Sequence, residues 1–100
     1  MITGPLCKAA RALVQIDRAQ LAERTGVTQE EIAEFEDGFV ELAPEATAKL
    51  EAALEALGAM FLPEEAEAGA GVRLKFNRMI TGRIANLENE GGRTASDDVP

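Results

Sequence analysis

One hundred residues carry 10 Lys and Arg against 18 Asp and Glu, a net charge of −8 with no His. That length suits one small core, and 46% hydrophobic residues with four Phe, no Trp and no Tyr suit a compact helical domain of small aliphatics. No run of about twenty apolar residues offers a membrane span, and the basic-then-apolar build of a signal peptide is missing. The lone Cys7 cannot form an internal disulfide, so a cytoplasmic location is expected.

The first helix is expected to begin near Gly4, with Thr3 as its cap and Pro5 in the tolerated first turn. Leu6, Ala10, Leu13 and Val14 form its expected buried stripe. Cys7 lies beside them, as either a small packing residue or a redox-responsive one. Asp17 with Gln20, and Thr28 with Glu31, each have the spacing of a capping box. They predict helices over 18–25 and 29–37, with Gly26 at the turn between them and Gly38 as a left-handed stop. Leu21, Ala22, Val27, Ile32 and Phe35 share one face at helical spacing. Pro44 opens a fourth helix whose Leu50, Leu54 and Leu57 recur at the same period, and Gly58 ends it.

Beyond Gly58 the pattern changes. Ala59 to Leu62 is apolar and stops at Pro63, an acidic Gly-rich link follows, and Val72 to Phe76 alternates apolar with basic residues. That is the period of a half-buried strand, so a β-hairpin is expected. An isolated hairpin is marginal in water, and its apolar face requires helix four or a second subunit. Asn77 to Glu90 is compatible with a last short helix carrying Met79, Ile80, Ile84 and Leu87, either at a dimer contact or frayed. Residues 91–100 are expected to be a disordered tail. The expected organisation is thus a helical domain over 1–58, a hairpin and helical extension over 59–90 that is a candidate dimerisation element, and the tail.

Two short capped helices joined at a Gly turn form a helix-turn-helix. The run Q-L-A-E-R-T-G-V-T-Q-E-E-I, the closing E-D-G and the preceding K-A-A-R-A-L-V resemble the XRE family of Cro-like and phage-repressor-like regulators, over roughly Ile2 to Gly58. The resemblance implies a mainly α, compact four-helix repressor-like domain, here with a C-terminal β-hairpin, and a structural ion pair between Arg11 and Glu36. It also implies DNA-binding positions: Arg18 toward the phosphate backbone, and Thr28, Gln29, Glu30 and Glu34 on the recognition helix. Gln can pair with adenine N6 and N7, and a carboxylate can accept from cytosine N4.

Charge runs against this. Residues 1–27 hold four bases and two acids, whereas 28–58 hold nine acids and only Lys49, and DNA affinity draws heavily on phosphate neutralisation. Phe39 and Val40 stand where relatives commonly place bases, and they read as a protein contact. Arg73, Lys75, Arg78 and Arg83 are open to DNA contact, to offsetting a partner subunit's acid, or to neither.

Catalysis has no visible apparatus. Without His or a Cys pair no usual zinc set can be built, and Ser96, the only serine, has no triad partner. Gly69 and Gly71 lack the Gly-Lys-Ser/Thr of a phosphate loop. No enzyme activity, cofactor or metal is expected. Two functions remain. One is a sequence-specific transcriptional regulator, a homodimer gripping a two-part operator in double-stranded DNA. The other is a repurposed scaffold whose acidic face binds a protein partner, as an antiactivator or anti-repressor, and not DNA.

Overall fold

The computed structural model describes residues 1–76; the expected helix over 77–90 and the expected tail over 91–100 lie outside the described residues. The described chain is mainly α. Its elements are α1 (Gly4–Val14), α2 (Arg18–Thr25), α3 (Gln29–Glu36) and α4 (Pro44–Ala56), then β1 (Ala59–Leu62) and β2 (Gly71–Leu74).

Local chemistry accounts for the helix ends. Asp17 accepts from the Gln20 N–H at 2.8 Å while the Asp17 N–H donates to Gln20 Oε1 at 2.9 Å. Thr28 and Glu31 repeat the exchange at 3.1 Å in both directions. Each box satisfies backbone donors that a helix start leaves open. Gly26 closes α2 at φ 81°, where a side chain would be strained. At the end of α3 the Phe39 N–H reaches the Glu34 carbonyl at 2.9 Å and the Gly38 N–H reaches that of Phe35 at 3.1 Å. That pair of bonds is a Schellman stop, with Gly38 at φ 83°.

One core joins all six elements. Leu21, Ile32, Leu50, Leu54 and Leu57 are its largest fully buried aliphatic side chains, with Val14, Val27 and Phe35 beside them. On α1 the buried stripe is Gly4, Cys7, Ala10 and Val14: Ala10 and Val14 lie inside as expected, and Gly4 and Cys7 take the places expected of Leu6 and Leu13. The cause is the nearness of α3. A Cβ on Gly4 would sit 1.9 Å from the Phe35 carbonyl oxygen, so only glycine fits there. Small Cys7 and Ala10 continue that face, while Leu6 and Leu13 are left half-buried on its flanks.

The hairpin is antiparallel, pairing Ala59 with Leu74 and Phe61 with Val72. Partners directly opposite share a face, so these four form one apolar side. Ala59 lies in the core, with Phe61, Val72 and Leu74 packed against it. β1 rests on α4 and β2 on α1, so helix four and helix one together cover the face. β2 ends at Leu74, two residues before the expected Phe76. The Lys75 N–H already bonds the Gly58 carbonyl at 2.8 Å, and no strand of β1 extends beyond it. The link is narrowed by a bridge in which the Glu65 N–H meets the Ala68 carbonyl at 2.7 Å. Among the described residues no helix is long and apolar enough to cross a membrane.

Candidate nucleic-acid interface

The outer face of α3 is set by the same periodicity that buries its inner face. Ile32, Phe35 and Glu36 turn inward, and Thr28, Gln29, Glu30, Glu31 and Glu34 remain exposed. Thr28 and Glu31 are occupied by the cap: the Thr28 hydroxyl also donates to Glu31 Oε1 at 3.0 Å. Gln29, Glu30 and Glu34 have no hydrogen bond or ion pair from their side chains among the described residues. They are the α3 groups whose bonding capacity is open to a ligand. Gln29 offers a donor and an acceptor together, and the two carboxylates offer acceptors only.

Behind this face a buried carboxylate organises three elements. Glu36, with its side chain 0% exposed, accepts from Arg11 Nε and Nη2 at 2.7 Å each, a two-pronged pair. It also accepts from Arg18 Nε at 3.0 Å. Arg11 Nη1 donates to the Ile16 carbonyl at 3.2 Å, tying the α1–α2 turn to the same group. Burial alone would raise the Glu36 pKa, but donation from Arg11, Arg18 and the Cys7 thiol outweighs it and holds the carboxyl below its usual value. Burial, then the bond to Glu36, pushes the Cys7 thiol up to about 12. The thiolate is the reactive form of cysteine, so Cys7 is an inert packing group and hydrogen-bond donor here.

The structure therefore brings Arg11, Arg18 and Glu36 together, and Arg18 is not a free surface cation. Its Nη2 also lies 3.6 Å from Asp37 Oδ1, and its side chain is 31% exposed. Beside it opens a shallow depression of about 480 Å³, lined by Lys8, Arg11, Asp17, Arg18, Ala19 and Gln29. Three bases face one acid on this lining, but Glu36 and Asp37 already compensate two of them. Lys8, exposed on α1, has no ion-pair partner among the described residues. Sequence reading missed Lys8 as a site residue. The available signal was its spacing of three from Arg11, which puts both on one side of a helix.

Phe39 and Val40 stand apart from this depression, on the loop after α3. They are 80% and 46% exposed. The loop is acidic where it continues, at Glu41.

No protein-family model matches this chain, and no curated protein matches it.

Proposed function

We propose that this protein is a sequence-specific DNA-binding transcriptional regulator of the XRE helix-turn-helix type. Two copies would bind a two-part operator, one α3 in each of two successive major grooves. The observation that carries the reading is the α2–turn–α3 unit itself. Its second helix is anchored from behind by Ile32, Phe35 and Glu36, and it presents Gln29, Glu30 and Glu34 outward with unspent hydrogen-bonding capacity. In such units the N-terminal end of the second helix contacts base edges. Gln29 sits at that end and also borders the depression that holds Lys8 and Arg18, so one approach of DNA would bring bases to Gln29 and phosphates to the two cations.

Affinity in this reading comes more from base contacts and shape than from charge. A chain of net charge −8 with Arg11 and Arg18 already engaged neutralises few phosphates. The dependence of log K on log salt, about −0.9 per phosphate neutralised, is then shallow. Action is steric: a dimer on a promoter excludes polymerase.

The test is selection of sheared genomic DNA on the purified protein near physiological salt, with Gln29→Ala/Glu30→Ala as control. Both side chains are exposed and outside the Glu36 cluster, so the control keeps its fold; Arg18→Ala would disturb that cluster and confuse the result. A two-fold symmetric motif that is enriched by the native chain and lost in the control supports the proposal. Absence of any enrichment from folded protein rejects it.

A further inference from the structure

The side of the domain formed by the first turn of α1 carries a trough that the DNA reading leaves unused. One depression of about 430 Å³ lies between the start of α1 and the loop after α3, with Phe39, Val40 and Glu41 on its wall. A second, about 340 Å³, lies between the start of α1 and the far end of the hairpin, with Leu62, Glu51 and Glu64 on its wall. Ile2 and Thr3 line both, so the two lie side by side. The charged side chains on the two linings are Glu41, Glu51 and Glu64, against the amine of Met1 on the second; among the described residues no Lys or Arg lines either.

We infer that this trough docks a segment of a partner protein in which Lys or Arg residues flank an aromatic or branched aliphatic anchor. Charge complementarity identifies the occupant. Mixed polar and apolar walls whose charged side chains are all carboxylates attract basic apolar peptide and repel the phosphates of nucleic acid and of anionic lipid. A second copy presenting the same face is disfavoured as well, because a two-fold contact sets each patch against its own kind, glutamate against glutamate. Phe39 fits the part of an anchor on this side. Its backbone is held by the Schellman bonds and its ring is left in solvent, so its point of attachment is fixed before a partner arrives. Preorganised aromatic groups contribute most at interface centres. The inference is independent of DNA binding, because Gln29, Glu30 and Glu34 line neither depression.

Random 12-residue peptides displayed on phage, selected on the full-length protein, test it. Enriched sequences are synthesised with a fluorophore and titrated by anisotropy against the native chain, Phe39→Ser, Glu41→Lys and Gln29→Ala. The expected peptides carry two or more bases around an apolar residue. Phe39→Ser and Glu41→Lys should each weaken them at least about tenfold, with Gln29→Ala unchanged. Peptides without bases, binding indifferent to both trough variants, or no enrichment would overturn the inference. Arg78→Glu/Arg83→Glu in the full chain supplies a further arm. Tighter peptide binding in that variant would assign the trough to the chain's own C-terminal segment and likewise overturn it, while unchanged binding supports the partner.

Discussion

The two ends of α3 are held by different forces. At the N-terminal end Thr28 and Glu31 satisfy each other within four residues of chain, and the intervening Gln29 and Glu30 make no side-chain hydrogen bond or ion pair among the described residues. At the C-terminal end Phe35 carries the carbonyl against which Gly4 packs, and Glu36 receives two arginines from other helices. A helix whose C-terminal end is tied to distant elements and whose first residues, Gln29 and Glu30, face outward between its cap groups can offer those residues to a ligand with little loss of stability. The anchored residues of α3 and those with open hydrogen-bonding capacity are thereby separated along eight residues.

This contrast can be broken most severely at the anchored end. Glu36→Ala leaves Arg11 and Arg18 around an empty buried site, and losing one partner of a buried pair costs about 3–5 kcal/mol, to be read as a lower urea midpoint. The carboxyl's folded pKa lies below its usual 4.5, so its contribution is complete above about 4.5 and is lost as pH falls through the folded value. A plot of midpoint against pH should lose part of its acid limb in Glu36→Gln. Unchanged acid sensitivity would remove Glu36 from this role.

The same cluster predicts an alkaline limb. The Cys7 thiol is raised from 9.0 to about 12, so its stabilising effect is present below pH 9.0 and declines as pH rises toward 12. Cys7→Ala should flatten stability above pH 9, and native Cys7 should resist alkylation at neutral pH.

Gly4→Ala attacks the anchored end through sterics. The new methyl meets backbone, which cannot rotate away, and overpacking of this kind costs about 1–3 kcal/mol. A midpoint equal to the native one would show that α1 and α3 have room to separate. At the capped end Thr28→Ala should cost about 1 kcal/mol, less than either change at the other end; a larger loss would mean that the end is not held by its cap alone. Phe39→Ser should change stability by less than about 0.5 kcal/mol, because the ring covers nothing within the domain.

The α2–α3 pair was largely legible in the residues because its determinants are local. Capping boxes depend on residues three apart, and Gly26 and Gly38 mark turns whose backbone angles exclude most other residues. The apolar period also placed Leu21, Ile32, Phe35, Leu50 and Leu54 inside. On α1 the period placed Ala10 and Val14 inside, but hydrophobicity also favoured Leu6 and Leu13 where close approach of α3 favours Gly4 and Cys7. Of the candidate site, the exposed face of α3 followed from its period, whereas Lys8 and the engagement of Arg18 with Asp37 did not, since each depends on how α1, α2 and α3 meet.

By itself, then, the sequence determined four helices, their starts and turns, an apolar and an alternating segment beyond Gly58 and an acidic balance, all properties of neighbours along the chain. Only the tertiary structure decided that Arg18 joins Arg11 on one buried carboxylate, that α1 shares with α4 the covering of the hairpin, and that Lys8 borders the same depression as Gln29. Those outcomes depend on which surfaces meet across long stretches of chain, and short-range spacing carries no information about that.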